Sequence, residues 1–430
     1  MNMAQKLVAP TTVQLEITTK CNHKCIHCYN PWRSDSNLTN NTLSYKKIDV
    51  ILNELKKNSV WHLTITGGEP LLEFEKVKYI KKTCDTLGIS VSLNSNLTCM
   101  TEKMAKRLKC ELNWDTLILT SLPGLDEETC DAITQVKGSY KRIIEGIRIC
   151  KRNGIRVGVN IVLTKDNIEY TIKKVEEFVK SNSVDYLALT RAIQPSYSSC
   201  SKYNFSKSDI TLLADSLLAI EKNYNIEVDS LIPFPLCVLK NEKKYNSILH
   251  TKCCAGILEC TIATDGSVKA CSHENQTYGN IFNNGLEYCW NNMECWRNGE
   301  KLNSKCTNCK NLPLCGGECR QSTCIDYLDN EIELIEYDGL QSAPSNDELY
   351  MSQFLYNTNT KMRQENFGFC LHIEGNDYLV DTSFNDIHKY FLNAGKFSIN
   401  DIAHDFENTE ELIHLVKNLV EMRYLIIIND

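Results

Sequence analysis

"VQLEITTKCNHKCIHCYN", residues 13 to 30, sets a short alternating apolar run against three cysteines within eight residues. "VQLEI" has the two-residue period of a strand, and the turn-forming pair "CN" opens the loop that carries Cys21, Cys25 and Cys28. Three thiolates are one short of the four that close a structural zinc site or an iron-sulfur cube. Either His23 or His27 completes a zinc site, or the fourth position is left open for a reacting molecule.

Outward from this loop the chain alternates short and long apolar periods. "WHLTIT", "ISVSL", "WDTLILT", "IRVGVNIVL" and "VDYLALT" read as further strands up to about residue 190. Amphipathic stretches such as "SYKKIDVILNELKK" and "YKRIIEGIRICKRNG" read as the helices between them. Several strands are apolar at nearly every position, as where helices cover a parallel sheet, so the expected class is α/β, a barrel or an open sheet. "GGEP", Gly67 to Pro70, follows the second strand. Its glycines permit close backbone approach and Glu69 adds a carboxylate, at the strand end where barrel enzymes place ligands.

The 430 residues carry 42% apolar and 23% charged side chains, enough for two or three domains with a sizeable core. No run approaches 18 apolar residues, and the first 20 lack the charged start and apolar core of a signal peptide. The expected compartment is a reducing cytoplasm, with no membrane partner. Eleven of the 22 cysteines fall between Cys253 and Cys324, which in such a chain points to metal or clusters before disulfides. A net charge of −7 offers no general attraction for phosphate backbones, so nucleic acid is not an expected partner.

In the cysteine-rich stretch, "DG" at 265 and 266 reads as a hairpin turn, giving Cys253-x12-Gly266-x4-Cys271. The dense run Cys306-x2-Cys309-x5-Cys315-x3-Cys319 follows. Read alone, these spacings also suit a pair of zinc ribbons. Cys289 and Cys295 lie on the helix-like "LEYCWNNMECW" and read as buried small hydrophobes. Residues 326 to 348 carry eight acids and no Lys or Arg, which reads as a linker. The tail resumes order as strands "GFCLHI" and "DYLV" and three helical patterns, the layout of a small winged helix. From 366 to 430 it holds 11 acids against 4 Lys or Arg, the wrong sign for a DNA-binding face.

The cysteine triplet after a first strand, with Gly-Gly-Glu-Pro after the second, resembles the radical S-adenosylmethionine (SAM) superfamily. That resemblance implies a partial, TIM-like (β/α)6 barrel. It implies that Cys21, Cys25 and Cys28 bind a 4Fe-4S cluster whose open iron chelates SAM, and that Gly67, Gly68 and Glu69 meet the methionyl ammonium. His27 falls where the family places a ring against adenine, and Asn96 and Ser121 where strand ends touch the ribose. One electron from the cluster then cleaves SAM, and a 5'-deoxyadenosyl radical takes a hydrogen atom from substrate. No acid/base residue is assigned to that abstraction. An electron donor such as flavodoxin or ferredoxin is implied.

The cysteine-rich stretch resembles the SPASM domain, whose two auxiliary 4Fe-4S clusters bring the expected total to three. Carried over, one auxiliary cluster uses Cys271 and Cys319 with two of Cys253, Cys254 and Cys260. The other uses Cys306, Cys309 and Cys315, with Cys324 as the last ligand. Sulfatase maturases of this family place an aspartate after the cysteine of Gly-x4-Cys; this chain has Ser272, which argues against formylglycine formation. The tail resembles the recognition element of ribosomal-peptide maturation, which binds a precursor's leader as an added strand. The expected domains are a core at 1–235, an auxiliary-cluster domain at 236–325, a linker at 326–365 and a winged helix at 366–430. The expected function is maturation of a ribosomally made precursor peptide by a thioether or carbon-carbon cross-link. The rival readings are modification of a larger protein or a small metabolite, a multi-cluster electron carrier, and a metal-dependent regulator.

Overall fold

A computed structural model describes residues 5–30, 41–194, 203–239, 243–245, 248, 252–322 and 345–428. The chain divides into two compact units, one built on residues 9–335 and the other on 5–8 and 336–430.

The first unit is the expected α/β array. Strands β1 (Thr12–Thr18), β2 (His62–Gly67), β3 (Ser90–Asn94), β4 (Ile118–Ser121), β5 (Val157–Leu163) and β6 (Tyr186–Arg191) lie side by side in chain order, all parallel. Between them run helices α1 (Tyr45–Lys57), α2 (Phe74–Leu87), α3 (Glu102–Lys106), α4 (Glu127–Thr134), α5 (Ser139–Arg152) and α6 (Ile168–Asn182). Strand alternation divides the sheet into two faces. Leu15, Ile65, Leu93 and Ile118 are register neighbours in one fully buried apolar row. On the other face Gln14, Thr64 and Ser92 form a polar row, with 3.1 Å between the Thr64 and Ser92 hydroxyls. This polar face is the one a partial barrel turns inward.

Helix α7 (Lys207–Tyr224) and strand β7 (Glu227–Asp229) extend the sheet beyond β6. The short helix α8 (Leu236–Leu239) follows. At the opposite edge β8 (Glu259–Ile262) pairs with β1, and β9 (Val268–Lys269) returns antiparallel through a turn at Gly266, where φ is +91°. The cysteine-rich stretch therefore shares one nine-stranded sheet with the barrel. Its remaining elements are α9 (Ile281–Asn291), α10 (Glu294–Arg297) and α11 (Leu312–Cys315). Cys289 is buried as expected of a small hydrophobe, and Cys295 is half-buried beside the Tyr278 hydroxyl at 3.4 Å.

The second unit begins earlier than 366. Helix α12 (Asn346–Met351) and strands β10 (Gln353–Tyr356) and β11 (Lys361–Glu365) fall inside the expected linker and are structured; residues 326–344 lie outside the described residues. Ser345 and Glu348 form a capping box that starts α12. Strand β11 pairs with β12 (Gly368–Ile373), which pairs with β13 (Asn376–Asp381). Helices α13 (Phe384–Ala394), α14 (Ile399–Ile402) and α15 (Thr409–Glu421) follow, with β14 (Phe397–Ser398) and β15 (Leu425–Ile428) flanking β10. Phe354, Leu371, Phe391, Leu412, Val416 and Tyr424 form a core of its own. Among the described residues no helix is long and apolar enough to cross a membrane.

Candidate active site

Three loops meet at the carboxyl ends of β1, β2 and β3. The cysteine loop is held from below by backbone bonds, Lys24 N–H to Thr134 O at 2.9 Å and Ile26 N–H to Ile133 O at 3.0 Å. These acceptors are the final carbonyls of α4, a helix with no clear periodic signal in sequence. Cys21, Cys25 and Cys28 are half-buried thiols. His23 is buried with Nε2 3.2 Å from the Ser139 hydroxyl. His27 is half-buried on the same loop. Three soft sulfurs on one loop fit an iron-sulfur cluster with one open position.

The "GGEP" turn lies against the residues just before Cys21. Gly68 N–H donates to Thr18 O and Glu69 N–H to Lys20 O, both at 2.7 Å. A Cβ on Gly68 would sit 2.1 Å from Lys20 O, and one on Gly67 2.4 Å from Thr18 O. The glycines are thus needed for loop-to-loop contact within the protein. The Glu69 carboxylate is fully buried and turned inward. Its Oε1 accepts from Leu71 N–H at 2.9 Å and from the Ser95 hydroxyl at 2.6 Å, and Oε2 accepts from Asn96 N–H at 2.7 Å. Burial raises this carboxyl above its ordinary range, and the donors from Ser95, Asn96 and Leu71 offset part of that. Through these three bonds the Glu69 side chain ties the β2 loop to the β3 loop.

Asn96 carries the tie onward. Its side-chain amide donates to Asn22 Oδ1 at 2.8 Å, and Asn22 in turn donates to the Thr98 hydroxyl at 2.7 Å and to Cys99 Sγ at 3.3 Å. Asn22 and Ser95 were not singled out from sequence; the signal available was the polar run "NSN" at a strand end. Ser121 is exposed at the carboxyl end of β4.

Two thiol groups form in the cysteine-rich part. Cys253, Cys271 and Cys319 are electrostatic neighbours: burial first, and then Cys253, raise the Cys319 thiol to about 12. Burial likewise raises Cys271, with Cys319 and Cys253 adding to it. Burial and mutual repulsion hold these thiols in their neutral form. Cys254 donates to Lys252 O at 3.3 Å. Cys260 does not join them. It pairs with Val13 in register, so alternation puts it on the apolar face, with Cys289 and Arg297 as its charged neighbours beyond Glu259. The second group surrounds a cavity lined by Cys237, Cys306, Cys309 and Cys315. Cys324 lies outside the described residues. Tyr29, next to Cys28, stacks on His273, next but one to Cys271, with ring centroids 4.1 Å apart, so the cysteine loop and the first thiol group touch.

Residues 15–179 match the Radical SAM superfamily. They are a radical SAM domain. The chain is accordingly an enzyme of reductive SAM cleavage, with SAM and a 4Fe-4S cluster as cofactors. It is 23% identical to the AdoMet-dependent heme synthase of Methanosarcina barkeri, over 75% of this chain and 95% of that protein. It is 26% identical to the mycofactocin maturase of Mycobacterium tuberculosis, over 73% of this chain and 79% of that one. Other curated relatives match 35% to 41% of the chain and 37% to 56% of their own length. Among solved structures, Streptococcus suis SuiB superposes with a TM-score of 0.59 at 20% identity, covering 77% of this chain and 78% of SuiB. SuiB has also been solved bound to its precursor peptide SuiA.

Proposed function

We propose that this radical SAM enzyme matures a ribosomally made precursor peptide, forming a thioether or carbon-carbon cross-link. The observation that carries the reading is the second unit, a separately cored fold that supplies none of the thiols grouped above. Among the described residues its strand β13 pairs on one side only, with β12, and Leu379 stands 41% exposed on it. An open strand edge of this kind takes an extended peptide by main-chain hydrogen bonds. The unit's acidic balance suits a partly basic leader and disfavours DNA. Similarity to SuiB and to the mycofactocin maturase supports the same substrate class.

When bound, the cluster and SAM supply a hydrogen-abstracting radical at the carboxyl ends of the barrel strands. The chain's own residues hold that site together: Glu69, Asn96 and Asn22 tie three loops, and the polar row at Gln14, Thr64 and Ser92 lines the sheet face below. Two auxiliary 4Fe-4S clusters in the cysteine-rich part, three in all, belong to the same reading, with a small ferredoxin- or flavodoxin-like protein as electron source and the cytoplasm as compartment.

A second reading, action on a tetrapyrrole or other small metabolite, is favoured by the long match to the heme synthase. Coexpression with a candidate short peptide from an open reading frame flanking the gene, followed by mass spectrometry, separates the two. Under the peptide reading the full chain removes two hydrogens per cross-link, and a chain ending near residue 340 still cleaves SAM slowly but leaves the precursor unmodified, because the target is no longer concentrated at the barrel. A truncated chain that modifies the precursor at the full rate contradicts it.

A further inference from the structure

The sequence run Cys306, Cys309, Cys315 brings three thiols to one place, and the fourth cysteine that spacing suggests, Cys324, follows Cys319 by only five positions. The fold supplies a different neighbour. Around the cavity beside these thiols stand Pro235, Leu236 and Cys237, from the segment that leads into and begins α8. Nearly 70 residues of chain separate Cys237 from Cys306, yet both line the same space.

What brings them together is one buried arginine at the end of β6. Arg191 donates through Nη2 to Pro233 O at 3.0 Å, and the same nitrogen is paired with the Glu318 carboxylate. The two side chains are 4% and 1% exposed. Pro233 lies four residues before Cys237, and Glu318 lies inside the dense cysteine run, so Arg191 holds both segments against the same strand end. On the run itself, Cys309 N–H donates to Cys306 O at 3.1 Å and Cys315 N–H to Asn311 O at 2.8 Å, which turns the three thiols around the cavity. Cys237 thus faces the same cavity as Cys306, Cys309 and Cys315.

We infer that Cys237 is the fourth cysteine of the group formed by Cys306, Cys309 and Cys315, and that these four together hold the second auxiliary iron-sulfur cluster. Four thiolates at one site complete a cube without an open iron, the arrangement of an electron-transfer cluster. The ligand set then spans the end of the barrel and the cysteine-rich stretch, so loading the cluster fastens the 233–239 segment to residues 306–319. The inference rests on the reading that this region carries auxiliary clusters.

The test uses the full-length chain, reconstituted anaerobically with iron and sulfide, with iron counted per chain and the dithionite-reduced protein examined by electron paramagnetic resonance. Cys306→Ala sets the benchmark for losing this cluster, from about 12 irons toward about 8. Cys237→Ala should match it, either in iron lost or by converting one signal to that of a three-iron cluster, and Cys324→Ala should keep wild-type iron and spectrum. Cys237→Ser keeps the volume and offers an oxygen ligand, so it should alter one cluster's signal alone even where the alanine variant folds poorly. Wild-type iron and spectrum in both Cys237 variants would overturn the inference. If wild-type protein holds only about 4 irons and Cys306→Ala changes nothing, the auxiliary-cluster reading falls and takes this inference with it.

Discussion

Glu69→Gln separates two roles for the one carboxylate in the "GGEP" turn. The carboxylate serves three donors: Leu71 N–H and the Ser95 hydroxyl on one oxygen, Asn96 N–H on the other. A glutamine keeps the shape but has a single acceptor oxygen. The Ser95 hydroxyl can rotate to accept from the new amide, but one of the two backbone N–H groups, Leu71 or Asn96, must lose its acceptor. Leaving a buried donor unsatisfied costs about 1–3 kcal/mol. That loss falls on the protein before SAM binds, because the tie is internal. Urea denaturation of SAM-free protein, followed by tryptophan fluorescence, should show the variant less stable by about that amount. Had the carboxylate served only to meet the methionyl ammonium, the SAM-free variant would unfold as wild type and only its SAM affinity would fall; that result refutes the internal-tie account.

The Arg191–Glu318 pair predicts a second stability difference. Arg191→Met leaves a buried carboxylate without its cation and should cost about 3–5 kcal/mol, whereas Arg191→Met combined with Glu318→Leu should cost clearly less than the two single changes added together; strict additivity in the double-mutant cycle would count against the pair. Glu16 predicts a pH dependence. It is 1% exposed, neither carboxylate oxygen has a hydrogen-bond partner among the described residues, and burial raises it from 4.5 to about 7, with Lys269 opposing and Asp265 adding. Between those values the unfolded chain releases the proton while the folded chain keeps it, so stability falls as pH rises, by about 1.4 kcal/mol per pH unit and about 3 kcal/mol across the window. Below pH 4.5 that contribution is fully retained. Glu16→Gln should abolish this part of the slope in denaturation midpoints measured from pH 4 to pH 8, and an unchanged slope would reject the assignment.

The barrel was legible because its strands carry their own period: Leu15, Ile65 and Leu93 alternate with polar neighbours whatever packs on them. The cysteine loop and the "GGEP" turn were legible because their chemistry is local in sequence. The direction of Glu69 was not, since its partners Ser95 and Asn96 lie about 26 residues on and meet it only through strand register. The face of Cys260 follows from alternation once β8 is paired with β1, a pairing between segments some 245 residues apart that no local pattern reports. Cys237 sits outside the dense cysteine spacing and is carried to it by Arg191. The start of the second unit was hidden by acidic composition, although Ser345-x-x-Glu348 has the spacing of a capping box.

The most direct test of the account is 5'-deoxyadenosine formation by the anaerobically reconstituted chain, supplied with SAM and dithionite and followed by liquid chromatography. The wild-type chain should form it, with iron and no stoichiometric zinc in the purified protein. The triple change of Cys21, Cys25 and Cys28 to Ala should lower iron by about four per chain and abolish the product. Undiminished product from the triple variant, or wild-type protein that holds zinc and no iron, would contradict the assignment of these three cysteines.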